Sequence, residues 1–203
     1  VYLGSISNNA WAMAVADFDK NGYKDVVAGG SGFNITIFKT NNTGTGATKT
    51  TIANSGFFLQ NLTMADINND GWVDIFACDD NAASHIYLND GAGNFTTQSN
   101  IINFNLPNGS DNSGNYGSVW TDFDNDGDLD IAAISFYSDL EKPEQGFIYL
   151  SNEGGFNFKA FSTPEAAVGK WLTMESGDFD RDGDIDLVLG SYFQSVGELS
   201  KFI

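Results

Sequence analysis

The chain has 203 residues, 41% of them hydrophobic, enough apolar material for a packed core in one domain or in part of a larger one. Its 27 acidic residues against 9 basic ones give a formal charge of -18, a field that repels phosphate backbones and anionic membrane surfaces and so excludes nucleic acid as a natural partner. No run approaches the roughly 20 apolar residues of a membrane span, so direct membrane insertion is not expected, and Val1 opens without signal-peptide regions, as in a mature, processed or fragmentary chain.

The first seven residues, "VYLGSIS", read as an outer strand. "WAMAVA" follows as a first strand, then an Asp-rich loop, a second strand "DVVAGG", a third "ITIFKT" and a fourth "TKTTIA". The order repeats with "LQNLTMA", a loop, "DIFACD", "SHIYLN" and "NFTTQS", where Cys78, the sole cysteine, is expected as a small buried strand residue. After the long connection "NIINFNLPNGSDNSGNY" come "YGSVWT", a loop, "DIAAIS", the connection "SFYSDLEKPEQG", "GFIYLS" and "NFKAFS". The last group is "WLTMESG", a loop, "DLVLGS", the connection "SYFQSVGE" and an end, "GELSKFI", that falls short of an outer strand. The strands are rich in β-branched and aromatic residues bounded by Gly, Asn and Ser, and no segment holds a helical period.

The Asp-rich loops fix the repeat. "DFDKNGYKDVV", "DINNDGWVDIF", "DFDNDGDLDIA" and "DFDRDGDIDLV" begin at Asp17, Asp66, Asp122 and Asp178, which are 49, 56 and 56 residues apart. A unit of about 50 residues matches a four-stranded propeller blade. The expected fold is all-β, a β-propeller or partial propeller over 1–203 with repeats at approximately 8–54, 56–103, 112–164 and 168–203. Residues 1–7 then either complete a preceding blade or close a four-bladed ring with the last one. In the first strand, Ala12, Ala14 and Ala16 alternate with Trp11, Met13 and Val15, the small/large split of an innermost strand with one face near a central axis and the other on the next blade.

Each loop offers side-chain oxygens at positions 1, 3, 5 and 9, glycine at 6 and a backbone carbonyl at 7. The side-chain donors are Asp17, Asp19, Asn21 and Asp25; Asp66, Asn68, Asp70 and Asp74; Asp122, Asp124, Asp126 and Asp130; and Asp178, Asp180, Asp182 and Asp186. Tyr23, Trp72, Asp128 and Asp184 supply the carbonyls. Hard oxygens in this number on a turn match Ca2+, which takes six to eight of them at about 2.3–2.6 Å, so about four calcium sites are expected between first and second strands. An EF-hand would need flanking helices and a Glu at position 12, where this chain has Ala28, Ala77, Ala133 and Leu189. Because the carboxylates recur once per repeat, metal ligation rather than acid–base catalysis accounts for them.

These residues resemble the FG-GAP/VCBS repeat family, calcium-loop β-propeller repeats also seen in integrin α-subunit heads. The pattern D-x-[DN]-x-[DN]-G-x-x-D followed by an apolar pair is met at all four loops. The resemblance implies calcium at the same sixteen side chains. The absence of an "FG…GAP" segment and of cysteine pairs brings the chain closer to the bacterial VCBS type. Sequons at Asn34, Asn41, Asn61, Asn94 and Asn108 are frequent by chance in an Asn- and Thr-rich chain.

The connections opposite the metal loops vary most and carry Phe104, Tyr116, Phe136, Tyr137, Tyr192 and Phe193, candidates for holding a protein or neutral glycan. Trp11, Trp120 and Trp171 are expected in the core, Trp72 partly exposed, and His85 in a surface or packing role. No catalytic residues and no enzyme activity are expected: nucleophile elbow, phosphate loop and Cys/His cluster are all missing from the sequence. The leading expectation is an adhesion, recognition or assembly module that is extracellular, on the cell surface or periplasmic. A structural subunit of a larger complex comes second, and a carbohydrate-active enzyme similar to a polysaccharide lyase third.

Overall fold

The computed structural model describes residues 4–6, 10–98, 102, 114–136, 146–162, 166, 170–192 and 200–202. These residues form an all-β structure without an α-helix, and none of their elements is a helix long and apolar enough to cross a membrane. The first sheet runs β1 (Ala10–Ala16), β2 (Asp25–Gly30), β3 (Phe33–Thr40) and β4 (Ala47–Thr51); the second β5 (Leu59–Ala65), β6 (Asp74–Asp79), β7 (His85–Asn89) and β8 (Phe95–Gln98). The third runs β9 (Asn115–Thr121), β10 (Asp130–Ser135), β11 (Phe147–Asn152) and β12 (Phe158–Phe161), and the fourth β13 (Trp171–Gly177), β14 (Asp186–Ser191) and β15 (Ser200–Phe202). Every pairing is antiparallel between strands consecutive in the chain, so each sheet is a meander. The strands expected in the four groups agree with this order, the last sheet having three strands among the described residues; of the outer strand expected over 1–7, residues 4–6 are described and form no strand, and the rest lie outside the described residues.

The chain divides into two compact units. In the first, Val1–Asp79 with His85–Ser99, the sheet β1–β4 packs against β5–β8. The alternation of β1 decides how: Ala12 is buried in a cluster with Val27, Ile37, Leu59, Leu62 and Ile75, and Ala14 and Ala16 pack against it. The small face of β1 is therefore the one turned to the next sheet, because short side chains let β5 approach closely, while Met13 and Val15 on the other face are exposed. Side chains as completely buried as Leu59 and Ile75 each contribute about 1.5–3 kcal/mol. Cys78 is buried in β6, as its small apolar character demands.

The second unit, Asp80–Ser84 with Asn100–Ile203, repeats the packing. Ala132 and Ile134 of β10 meet Met174, Leu187 and Leu189 of β13 and β14, with Trp171 fully buried and its indole N–H donating to the Ala166 carbonyl at 2.9 Å. In every sheet the first strand carries a bulge at the end away from the Asp-rich loop, between Ala10 and Ala12, Leu59 and Asn61, Asn115 and Gly117, and Trp171 and Thr173. A bulge re-aims the inserted side chain. Trp11 is such a residue; it stands edge-on to Phe58 with ring centroids 5.0 Å apart yet stays 52% exposed, contrary to its expected place in the core.

Candidate functional site

The four Asp-rich loops share one hydrogen-bonding scheme. The position-1 carboxylates fold the turn back on itself: Asp17 accepts from the Asn21 and Gly22 N–H groups at 3.0 and 2.9 Å, Asp66 from Asp70 and Gly71 at 3.0 and 2.7 Å. Asp122 takes the N–H groups of Asp126 and Gly127, and Asp178 those of Asp182 and Gly183. At position 5, Asn21, Asp70, Asp126 and Asp182 each accept from the N–H at position 7, an Asx turn repeated four times. The tight path needs left-handed backbone twice: Gly22, Gly71, Gly127 and Gly183 have φ of 89° to 100°, and Lys20, Asn69, Asn125 and Arg181 have φ of 52° to 65°.

The position-9 aspartates are buried, and Asp25, Asp74 and Asp130 each bridge two elements. Asp25 accepts from Phe18 N–H at 2.8 Å and Thr40 N–H at 2.7 Å; Asp74 from Ile67 at 3.0 Å and Asn89 at 2.8 Å. Asp130 accepts from Phe123 and Asn152, both at 2.8 Å, and from the Tyr149 hydroxyl at 3.1 Å. Each of these carboxylates thus pins the start of its loop to the end of the third strand. Burial pushes Asp25, Asp74 and Asp130 upward, against the backbone hydrogen bonds and with help from neighbouring loop aspartates; Asp74 rises from 3.8 to about 6.

Carboxylate oxygens of positions 1, 3 and 9 converge in three loops: Asp17, Asp19 and Asp25; Asp122, Asp124 and Asp130; Asp178, Asp180 and Asp186 each lie within 4.8 Å of one another. The second loop has Asn68 at position 3, with its amide donating to Asp70 at 2.8 Å. These groups fit a hard cation. All donors are oxygens, an oxygen that accepts one N–H keeps a second lone pair, and a cation would offset both the burial and the mutual repulsion that raise the closing acids. One competing charge is present at the first loop, where Lys39 Nζ lies 3.8 Å from Asp19. Of the position-7 residues, Tyr23 and Asp184 are exposed, and Trp72 and Asp128 half-buried; Lys20 Nζ stands over the Trp72 ring at 4.4 Å.

At the opposite end of the strands the second unit carries an aromatic cluster. Tyr116, the inserted residue of the β9 bulge, lies 5.6 Å from Phe136, and Phe136 lies 6.1 Å from Tyr192, centroid to centroid. Lys170 Nζ sits 5.1 Å from the Phe136 ring. Tyr192 is 60% exposed, so the cluster opens to solvent. The corresponding end of the first unit holds His85 between Phe57 and Tyr87, 4.2 and 6.3 Å away, with Asp79 at 3.4 Å.

The FG-GAP-like repeat model matches residues 17–77 and 66–133, more than half of the chain. The chain belongs to the FG-GAP-like repeat family. Comparison with curated proteins gives no match. Among solved structures, the chain is similar to an Agrocybe aegerita lectin that recognises non-reducing terminal N-acetylglucosamine, with 22% identity and a TM-score of 0.56 over 86% of this chain and 45% of that one. It is also similar to the V. cholerae biofilm matrix protein Bap1, at 18% identity and a TM-score of 0.51 over 88% of this chain and 23% of that one. The likeness extends to fold, and this FG-GAP-like chain spans less than half the length of each.

Within the family pattern, positions 1, 3 and 9 are brought together in three loops, while position 5 turns toward backbone. Of the six aromatic candidates, Tyr116, Phe136 and Tyr192 form one cluster; Phe104, Tyr137 and Phe193 lie outside the described residues. Lys170 was not anticipated. Its signal was the repeat itself, since it directly precedes β13 and Phe136 and Tyr192 both directly follow a second strand, at equivalent positions of their repeats.

Proposed function

We propose that this FG-GAP-like chain is a calcium-loaded propeller module that recognises neutral glycans outside the cell, through the aromatic cluster of Tyr116, Phe136 and Tyr192. The cluster carries the reading: an exposed Tyr192 ring beside half-buried Tyr116 and Phe136 offers flat apolar surface to the C–H side of a sugar, and Lys170 adds a hydrogen-bond donor at their edge. A charge of -18, about -10 with four calcium ions bound, disfavours acidic glycans and leaves neutral sugars or basic protein patches. The lectin's terminal N-acetylglucosamine supplies the first sugar to try.

Calcium in this reading is structural. The side chains at positions 1, 3, 5 and 9 and the carbonyl at position 7 would hold it, and bound calcium would neutralise the buried acids that brace each blade. At about 1 mM calcium a site with a dissociation constant near 10 μM stabilises the folded state by roughly 2.7 kcal/mol, a condition met outside cells and not in the cytosol. The module binds and does not turn over its ligand.

The test is a neutral-glycan array probed with wild type, Phe136→Ala and Tyr192→Ala in calcium buffer. Wild type should bind, and either substitution should weaken binding by about tenfold or more while leaving calcium affinity unchanged. Binding equal in all three proteins, or turnover of the bound glycan, would overturn the reading. A structural role in an assembly is the second reading, favoured by the exposed Met13 and Val15.

A further inference from the structure

In β3, β7 and β11 the repeat makes one position directly comparable. Thr40, Asn89 and Asn152 each donate a backbone N–H to the closing aspartate of their loop, Asp25, Asp74 and Asp130. The residues just before them are Lys39, Leu88 and Ser151. Where that residue is polar, its side chain reaches position 3 of the loop: Lys39 Nζ lies 3.8 Å from Asp19 Oδ2, and Ser151 Oγ donates to Asp124 Oδ2 at 3.3 Å. Leu88 has no polar group to offer Asn68.

The two polar cases differ in charge and in what holds them. Lys39 Nζ donates to the Ala92 carbonyl at 2.8 Å, and its Cδ lies so close over Gly93 that an added Cβ there would come within 3.0 Å. The ammonium is therefore fixed beside a loop that already sets Lys20 and Lys24 among its three aspartates. Ser151 is 4% exposed, and its hydroxyl also stands 3.3 Å from Glu153 Oε1. One hydroxyl proton serves two carboxylates there, beside a loop that holds five aspartates and no basic residue over 122–130. The negative charge left over is charge that a cation would offset.

Given the calcium reading above, on which this rests, we infer that the third-strand residue facing position 3 ranks the loops for calcium. Ser151 is a positioning residue that makes the loop at Asp122 fill at low calcium, and Lys39 makes the loop at Asp17 fill at higher calcium. Affinity of an oxygen site for Ca2+ follows the charge of its ligands and the rigidity of the site. A fixed ammonium beside Asp19 opposes a second cation, whereas a buried hydroxyl donor holds one oxygen of Asp124 and leaves the other free to ligate. The chain thereby keeps one calcium as a lasting part of the fold and exchanges another as external calcium varies.

A calcium titration of isotope-labelled protein, followed by NMR, reads each loop separately through the amide of its position-6 glycine, which the position-1 aspartate holds. The Gly127 signal should reach its midpoint at a calcium concentration about tenfold or more below that of Gly22. Lys39→Gln keeps a donor for the Ala92 carbonyl without the charge and should lower the Gly22 midpoint by about fivefold, while Lys39→Arg should leave it near wild type. Ser151→Ala should raise the Gly127 midpoint by about threefold or more, and Ser151→Thr, which keeps the hydroxyl, should not. Neither Lys39→Gln nor Ser151→Ala should move the glycine of the other loop. Coincident midpoints, the reverse order, or a Gly22 midpoint that Lys39→Gln leaves in place would overturn the inference while calcium binding stands. A titration in which no glycine responds would overturn the calcium reading and the inference with it.

Discussion

Asp130→Asn separates what the closing aspartate does for the fold from what it does for a cation. One oxygen of Asp130 takes the Asn152 N–H and the other takes the Phe123 N–H and the Tyr149 hydroxyl. An asparagine has one acceptor oxygen, so its NH2 must face a backbone donor, and a buried N–H left unpaired costs about 1–3 kcal/mol. Burial first, and the neighbouring Asp124 charge with it, holds the Asp130 carboxyl above its usual range, so neutralising it returns part of that cost. A net loss of about 1–2 kcal/mol is expected. Urea denaturation in EDTA, followed by tryptophan fluorescence, measures it free of metal. Asp184→Asn removes the same charge from an exposed position of the same unit and should change stability by less than about 0.5 kcal/mol. Adding calcium should then raise the wild-type midpoint more than that of Asp130→Asn. Equal losses for the two variants in EDTA would refute the bridging role of position 9.

Three further outcomes follow from the electrostatics. Asp74 has a folded-state value of about 6 against 3.8, so the folded state binds the extra proton; its contribution is greatest below pH 3.8 and is lost as pH rises through about 6. Calcium-free protein should therefore show a stability decrease over that window which Asp74→Asn diminishes, and calorimetric titration should show calcium affinity falling at pH 5 relative to pH 7, because protons compete for the same carboxylate. Lys39→Met should raise calcium affinity at the first loop by up to about fivefold, since a cation 3.8 Å from Asp19 is removed from a partly exposed site; unchanged affinity would place Lys39 outside the field of that loop.

Strand order and loop positions were legible because both rest on a local signal repeated along the chain. Alternation marks strands, and the Asp-Gly spacing marks the turns between first and second strands. The direction of the β1 faces was not legible, because alternation tells that Ala12 and Met13 point to opposite sides but not which side meets the next sheet. Trp11 was misread for a related reason: the bulge at Ala10 and Ala12 shifts the register locally, and nothing in "NAWAMA" announces it. The loops were read as ligand sets, yet the same oxygens also satisfy backbone donors, and position 9 spends both of its oxygens bridging elements 7 and 15 residues away in the case of Asp25. Hydrogen bonds of that reach depend on the finished fold.

That bridging has a consequence for how the first two loops act together. Asp25 holds the Phe18 N–H, and the Phe18 carbonyl accepts from Asn89 Nδ2 at 2.9 Å. Asn89 in turn donates its backbone N–H to Asp74 at 2.8 Å and its amide to the Val73 carbonyl at 3.0 Å. The closing acids of two loops are thus joined through one phenylalanine backbone and one asparagine, in a partly buried network where polarisation and geometry are shared. Independent loops would give additive losses for Asp25→Asn and Asp74→Asn. The network instead predicts a coupling energy of about 0.5–3 kcal/mol in a double-mutant cycle measured in EDTA, and its reduction when Asn89→Asp removes the donating amide. Additivity within error would show that each loop is braced on its own, and that occupancy at one loop carries no information to the next.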